Sequence, residues 1–344
     1  MPTILISELR VASREALVRA GATESDADVV GNHLVESNLA GHDSHGVMRI
    51  PQYAREMASG AIVSGTEMSL DSQQGAIAAY DAHLAFGHVA AESGMNIAIE
   101  NARRQGGLGM VNLRRANHTG RLGHFVTLAA EQGMIGIAMV NAGGGGQWVA
   151  AFGGVGKRLS TNPLAIGAPT DVGFPLVLDI STCVVPEGKV RFYQQSKRPL
   201  PSGWVMDGQG GTTTDPSLLY ESLEAAIAPL GGIAGHKGFG LSFMVEVLAG
   251  ALSNAGCSRQ GVDPKDPVGH GVFLMAIDVS QVIAMDRYQE HVAALVEHLQ
   301  ATPAAAGSSG VLVPGEFEFR QRVQRSKDGI EVPETTWNEI QQLL

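Results

Sequence analysis

The chain has 344 residues, 44% of them hydrophobic and 17% charged, so it can bury a large core, which we expect to be divided between two lobes. Its net charge of −10 at pH 7 differs from the basic surface of most nucleic-acid-binding proteins, so no nucleic-acid partner is expected. The two cysteines, Cys183 and Cys257, lack the CxxC spacing of a zinc site and favour a reducing compartment. Without a secretory signal or a run of about 18 apolar residues, the protein is expected to be cytoplasmic, with no membrane partner.

Three helices are predicted at the start of the chain. Apolar residues recur at helical spacing over 7–20, and a second helix is expected over 23–40, where a threonine hydroxyl can cap the first turn. A third helix is expected over 43–57, because it would begin at residues that cap helices well. Residues 1–74 are therefore predicted to form a helical lobe.

The middle of the chain alternates short apolar strands with helices. Strands are predicted at 108–113, 134–140, 163–169, 175–180 and 272–279, and helices at 87–105, 122–131 and 237–252. This alternation predicts an α/β dinucleotide-binding domain with a mixed sheet over residues 75–280. Helices return at 281–300, 316–327 and 333–343, and we expect the segment 281–344 to pack back onto the N-terminal lobe.

Three short segments place chemically competent side chains among glycines, where a backbone can approach a ligand closely. They are GHDSHG at 41–46, NHTGRLGH at 117–124 and GHKG at 235–238. A chain built only to fold rarely sets histidines beside glycines three times. The pattern indicates an enzyme.

The first segment suits the chemistry of small acids. If a helix begins at Ser44, then His45, Arg49 and Tyr53 fall on one face of it. An arginine binds a carboxylate through two parallel hydrogen bonds, and a nearby imidazole can move a proton to or from an adjacent oxygen near neutral pH. The set therefore fits a 2-oxo or 2-hydroxy acid, although a solvated polar face at the start of a helix is an equal alternative.

The second segment offers a phosphate site, because His118, Gly120 and Arg121 directly precede a predicted helix with free N–H groups. Neither the glycine run at 143–146 nor the segment 153–157 is a P-loop, and no GxGxxG motif follows a strand. Any dinucleotide is therefore bound without the usual Rossmann fingerprint.

Two further charged residues occupy candidate positions. Asp179 ends a predicted strand, where a carboxylate can orient a histidine, hold a ribose or simply cap a helix. Lys237 lies at the start of an apolar helix, which is an unfavourable place for a cation unless an anion lies in front of it.

The motifs together resemble the type-2 malate/L-lactate dehydrogenase family of NAD(P)-dependent oxidoreductases. They are GHDSHGVMRIPQY (41–53), NHTGRLGHF (117–125), STNPLAIGAPT (160–170), LVLDIST (176–182), GHKGFGL (235–241) and VPGE (313–316), in this order. The resemblance spans nearly the whole chain. It implies a non-Rossmann NAD(P)-binding fold, a homodimer, and hydride transfer between nicotinamide and a 2-hydroxy or 2-oxo carboxylic acid or a cyclic imine.

The resemblance also implies roles for single residues. His45 would be the proton donor or acceptor, oriented by Asp179, and His118 is the competing candidate. Ser44, Arg49 and Tyr53 would contact the substrate, with Arg49 on its carboxylate. The dinucleotide would be bound by Gly120, Arg121, Thr161, Asn162, Pro163, Leu176, Val177, Leu178, Asp179, Ile180, Ser181, Thr182, His236, Lys237, Gly238, Gly315, Glu316 and Phe317.

The choice between NAD and NADP and the identity of the acid stay open. Four arginines, Arg114, Arg115, Arg121 and Arg158, could each meet a 2′-phosphate or could be ordinary surface charge.

Three other functions remain as alternatives. One is a cyclic-imine reductase of the piperideine-carboxylate type. Another is a metal-dependent hydrolase using His42, Asp43 and His45, although no motif supplies a further ligand and no bound metal is expected. The last is a binding protein that has kept the fold without turnover.

Overall fold

The computed structural model describes residues 1–142, 146–259 and 269–344, so residues 143–145 of the glycine run lie outside it. The N-terminal segment forms β1 (Thr3–Ile4), α1 (Ile6–Arg19), α2 (Glu24–Leu39) and α3 (Ile50–Ala58). The predicted cap of α2 is confirmed, because the Thr23 side chain accepts the N–H of Asp26 at 3.2 Å.

The structure corrects the third predicted helix. Residues 43–49 form two 3₁₀ turns, Asp43–His45 and Val47–Arg49, and α3 begins only at Ile50. The cause is tertiary: the Asn38 amide packs so closely against Gly46 that a Cβ there would lie 2.2 Å from Asn38 Oδ1, which also accepts the Val47 N–H at 2.9 Å. His45, Arg49 and Tyr53 therefore do not share one helical face.

The remaining elements follow in chain order. The first group is β2 (Ser69–Gln74), β3 (Ile77–Asp81), α4 (Gly87–Arg104), β4 (Leu108–Ala116), α5 (Gly123–Ala130), β5 (Met134–Asn141), β6 (Val149–Ala150), β7 (Lys157–Leu159), β8 (Leu164–Ala168) and β9 (Leu176–Ile180). The second group is α6 (Glu187–Gln195), β10 (Val205–Met206), β11 (Thr212–Thr213), α7 (Leu218–Glu221), β12 (Ala226–Ile227), α8 (Gly235–Val245), β13 (His270–Asp278), α9 (Met285–Gln300), α10 (Glu316–Asp328), β14 (Ile330–Glu331) and α11 (Glu334–Leu343).

The main sheet has seven strands in the order β2-β3-β4-β13-β5-β8-β9. Only β3 and β4 run parallel, so the sheet is mixed, as the sequence predicts. Helices α4 and α5 pack on one face, and the α8 region covers the other face around Leu164 and Phe273. The predicted α/β fold class is confirmed.

A second sheet of five short strands, in the order β11-β10-β12-β6-β7, was not predicted. It has its own core, which includes Val149, Val190, Val205 and Ile227. The chain enters and leaves this sheet through linkers to the main sheet, and two of those linkers, β7–β8 and β9–α6, reach the cavity described below.

The ends of the chain meet in the helical lobe. Strand β1 pairs with β14, α11 packs on α1 and α3, and α10 packs on α2. Helix α9 starts at Met285 rather than at residue 281 and is exposed along most of its length. The predicted division of the chain at residues 75 and 280 stays a prediction. No helix in the described ranges is long and apolar enough to span a membrane.

The sequence predicts one continuous α-helix over 237–252, and helix α8 differs from this prediction. It changes to π-helical turns over Glu246–Ala251. The Glu246 carboxylate lies there among donors from Asn141, Asn162 and Ser258, each within 3.2 Å. Such local widening of a helix is often found beside functional sites.

Candidate active site

A cavity of about 260 Å³ lies where the helical lobe, the main sheet and the second sheet meet. Its wall brings together motifs that are far apart in sequence. It is lined by His42, Ser44 and His45 before α3, by Gly120, Arg121 and Leu122 before α5, by Thr161 and Pro163 between the sheets, by Asp179, Ile180 and Ser181 at the end of β9, and by Pro186.

His45 lies in this wall on the first 3₁₀ turn. Its Nδ1 is 3.0 Å from the Ser44 hydroxyl oxygen. Burial lowers the pKa of His45 to about 3, and the nearby charges of Arg49 and His42 add to that shift. The imidazole is therefore neutral at pH 7, with Nε2 left for a ligand.

His118 stacks on His45, with the ring centroids 5.6 Å apart and the planes inclined by 12°. The Nδ1 of His118 is 2.7 Å from the Tyr53 hydroxyl oxygen. Burial and the neighbouring Arg49 lower the pKa of His118 well below its usual value. Tyr53 is itself fully buried, and its hydroxyl contacts His118 and, at 3.5 Å, His88 rather than the cavity.

The Arg49 side chain is held beside the two histidines. Its Nε donates to the Ser44 carbonyl oxygen at 2.7 Å, and one terminal nitrogen donates to Gln52 at 2.7 Å. The other terminal nitrogen lies toward α6, where a Cβ on Gly188 would be 4.0 Å away. The cation thus lies at the border between the helical lobe and the second sheet.

Asp179 and Arg121 are two charged groups near the start of α5, and each influences the other electrostatically. Asp179 accepts the N–H of Gly123 at 2.7 Å, so it caps α5, and no hydrogen bond joins it to His45 among the described contacts. Burial raises the pKa of Asp179, and Arg121 opposes this shift. Burial lowers the pKa of Arg121, whose Nε has no partner in the described residues.

Arg121 also reaches a second cavity, again of about 260 Å³. Val177 and Gly315, two of the residues predicted to bind the dinucleotide, line it together with Glu318. The two cavities therefore share one buried guanidinium whose Nε lacks a partner, which is the kind of donor that an anionic ligand satisfies.

Several residues predicted to contact the dinucleotide also have partners within the protein. Asn162 is fully buried at a φ of 37°, and its amide donates to Ser242 and Glu246 at 3.0 and 2.8 Å. Thr182 donates to the Thr161 carbonyl oxygen at 3.1 Å, and Ser181 donates to the Cys183 carbonyl oxygen at 3.1 Å. Leu176 and Leu178 pair with β8 as part of β9.

The α8 and α10 motifs lie away from the first cavity. His236 and Lys237 are exposed at the start of α8, where His236 packs on Phe152 at 5.6 Å. Gly238 passes so close to the Leu230 backbone that a Cβ would not fit. Glu316 accepts the Val313 N–H and pairs with Arg320, and Phe317 is half exposed.

Two of the side chains that the metal-dependent hydrolase would use as ligands form ion pairs with different residues. His42 pairs with Glu318 at 3.1 Å, while Asp43 pairs with Arg325 at 2.6 Å. Among the residues that the structure describes, no three His, Cys, Asp or Glu side chains are grouped to hold a metal ion.

Three buried histidines behind the site were missed by the sequence analysis. His33 and His88 have rings 4.6 Å apart, and the Nε2 of His33 accepts the Arg121 N–H at 3.1 Å. His270 lies 6.5 Å from His118. Burial lowers the pKa of all three, to about 3 for His88 and about 4 for His270. The sequence feature that could have revealed His33 is its position on the apolar face of α2, beside Val30 and Leu34.

The chain belongs to the malate/L-lactate dehydrogenase family, whose profile matches residues 4–341. It is 33% identical over 333 residues to malate dehydrogenase from Pyrococcus horikoshii, covering 95% of this chain and 90% of that one. The structure of malate dehydrogenase from Entamoeba histolytica superposes with a TM-score of 0.94 at 30% identity, covering 99% and 97% of the two chains. That of Δ1-piperideine-2-carboxylate reductase from Pseudomonas syringae gives 0.84 at 28% identity over the full length of both. The protein is thus an oxidoreductase acting on CH–OH donors.

Proposed function

We propose that the protein transfers hydride between NAD(P) and C2 of a small 2-hydroxy or 2-oxo carboxylic acid of the malate or lactate type. The observation behind this proposal is His45 in the wall of a small cavity, with His118 stacked on it and the charge of Arg49 acting on both rings. One cation for a carboxylate and two neutral imidazoles for an adjacent oxygen match such a substrate.

The nicotinamide, when bound, supplies or takes up the hydride. In the reductive direction His45 takes up a proton from solvent as the acid binds, and the resulting imidazolium gives its Nε2 proton to the carbonyl oxygen of the substrate as the hydride reaches C2, which leaves the imidazole neutral again. Arg49 binds the carboxylate and holds C2 in line. Its charge, after burial, also holds the pKa of His45 down. Pairing with the substrate carboxylate offsets that charge and raises the proton affinity of the imidazole.

The residues around Arg121 suit the anionic part of a dinucleotide. The Nε of Arg121 is buried without a partner among residues 1–142, 146–259 and 269–344, and its guanidinium borders both cavities. Val177 of β9 and Gly315 line the second cavity together with Arg121, which supports a dinucleotide site there. We propose this site for NAD or NADP.

Replacement of single histidines tests the assignment. We expect His45→Ala to abolish turnover while the dissociation constant for the reduced dinucleotide stays unchanged, and exposed His291→Ala on α9 to match the unmodified enzyme. Turnover would be followed by the absorbance of reduced nicotinamide, with NADH and NADPH tested separately against pyruvate, oxaloacetate, phenylpyruvate and 2-oxoglutarate. Full activity of His45→Ala together with an inactive His118→Ala would assign the role of proton donor to His118.

A cyclic-imine reductase is the second candidate, favoured by the structural likeness to the piperideine-carboxylate reductase. A cyclic imine with a 2-carboxylate would use the same Arg49 contact. Adding one such imine to the panel separates the two substrates. No turnover with any substrate and no dinucleotide binding would refute both candidates.

We propose that the enzyme is cytoplasmic and works as a homodimer paired through α8. This helix and the π-helical turns after it expose Leu241, Phe243, Met244 and Val247 by 37–56%, and these residues recur at helical spacing. A second copy is the commonest partner for such a face. Phe243→Asp should halve the mass measured by sedimentation, whereas Leu223→Asp, on an exposed residue of the second sheet, should leave it unchanged. A monomeric unmodified protein would refute the dimer.

A further inference from the structure

Tyr53 lies behind the active site and has no access to the cavity, since it is fully buried and forms no part of the cavity wall. Its ring packs in the core of the helical lobe with Phe86. Only the hydroxyl reaches toward the site, where its oxygen is 2.7 Å from Nδ1 of His118 and 3.5 Å from Nε2 of His88.

The phenol has one proton to give. The shorter contact, to His118, is the better hydrogen bond, and an N–H from His88 can occupy an acceptor position of the same oxygen. Burial raises the pKa of Tyr53, so the hydroxyl keeps its proton at neutral pH. A protonated phenol that donates to Nδ1 leaves the hydrogen of a neutral imidazole on Nε2.

We propose that Tyr53 is a positioning residue, whose hydroxyl donates to Nδ1 of His118 and so fixes the tautomer that presents an Nε2–H beside His45. This inference rests on the proposed function. The role of His118 as a second hydrogen-bond donor to the substrate oxygen next to His45 requires this N–H. His88 supports the arrangement from behind, because its ring lies 5.4 Å from Tyr53 and 6.2 Å from His118.

A double-mutant cycle tests whether Tyr53 acts through His118. Tyr53→Phe keeps the ring and removes only the hydroxyl, and we expect kcat to fall about 10- to 100-fold, the usual effect of losing a partner that orients a functional histidine. KM and the dissociation constant for the dinucleotide should stay within about twofold. In a His118→Ala background the same change should alter kcat by less than about twofold, because the bond no longer exists. The matched control is Tyr80→Phe, a half-buried phenol at the main sheet.

The ring-nitrogen NMR shifts of His118 give a readout that does not depend on turnover. They should report the Nε2–H tautomer in the unmodified protein and a mixture in Tyr53→Phe, with the signals assigned by their loss in His118→Ala. An Nδ1–H tautomer in the unmodified protein would overturn the proposal, even if Tyr53→Phe failed to fold.

The kinetic outcomes separate this inference from the proposed function. Equal losses of kcat in both backgrounds, or full activity of Tyr53→Phe beside an inactive His118→Ala, would overturn the positioning role. A fully active His118→Ala would also overturn it, while leaving hydride transfer intact. Absence of any dinucleotide-dependent reaction would refute the proposed function, and the NMR result would then decide on Tyr53 alone.

Discussion

Gly120 is the position at which backbone conformation, buried histidines and the cavity wall coincide. It has a φ of +71°, and a Cβ added there would lie 2.6 Å from Nε2 of both His33 and His88. Gly120→Ala therefore meets two penalties. The left-handed backbone costs about 1–2 kcal/mol, and forcing the two rings apart costs about 1–3 kcal/mol more.

Gly106 provides a matched control, because its φ is +81° and nothing lies within 4 Å of an added Cβ. Gly106→Ala is therefore destabilised only by the cost of the left-handed backbone conformation. For a chain of 344 residues the entropy of unfolding is about 0.7 kcal/mol per kelvin. The expected loss in Tm is then about 2 °C for Gly106→Ala and about 3–7 °C for Gly120→Ala.

Differential scanning calorimetry with saturating and with no dinucleotide would measure these shifts. Gly120→Ala should also lower kcat, because the displaced His88 ring contacts Tyr53, whereas Gly106→Ala should keep full activity. Equal Tm losses in the two variants would refute the claim that His33 and His88 fill the space in front of Gly120.

Three other predictions concern single groups of the site and its support. Arg49→Lys should raise KM for the acid about tenfold or more with a smaller change in kcat, because an ammonium cannot form two parallel hydrogen bonds; an unchanged KM for every acid would remove Arg49 from the site. Five histidines, His33, His45, His88, His118 and His270, have pKa values below the ordinary 6.5, so the unfolded chain binds more protons and stability falls as the pH drops below about 6.5, by up to about 1.4 kcal/mol per pH unit for each. The urea midpoint should therefore be lower at pH 5 than at pH 7, with a shallower dependence in His88→Gln, and equal midpoints would contradict this. Asn162→Asp sets a second carboxylate against Glu246, 2.8 Å from the present amide, and should cost about 3 kcal/mol in a urea titration at pH 7; full stability would mean that the amide is not needed there.

The sequence predicts those elements whose own residues contain the signal. The helix α4 and the strands β4 and β5 are long and periodic, and the structure places them within a few residues of the predicted ranges. The family profile and the sheet topology confirm the predicted family and the mixed α/β class. The sequence could reveal the family because several spaced motifs agreed. The five-stranded second sheet was missed, since four of its strands have only two residues each and their pairing depends on distant segments.

Three residues that the sequence singled out, His45, Arg121 and Asp179, line one cavity in the structure, and their roles stay predictions. The straight helix predicted from residue 44 was wrong. The reason is Asn38, on a different helix, whose amide holds the turn at Gly46. The partner of Tyr53 was likewise hidden, because a sequence of this kind does not reveal that residues 53 and 118 meet.

The place of β13 in the main sheet has a consequence for biosynthesis. This strand, residues 270–278, pairs with β4 on one side and β5 on the other, so it lies at the centre of the sheet although its neighbours are synthesised well over a hundred residues earlier. Its side chains Val272, Leu274 and Ala276 belong to the main core. During synthesis on the ribosome, the edges of β4 and β5 that pair with β13 therefore stay unpaired until residue 278 emerges. Such long-range pairing slows folding and exposes unpaired edges to other chains. The nascent chain, rather than the finished enzyme, is where this fold is most vulnerable to aggregation.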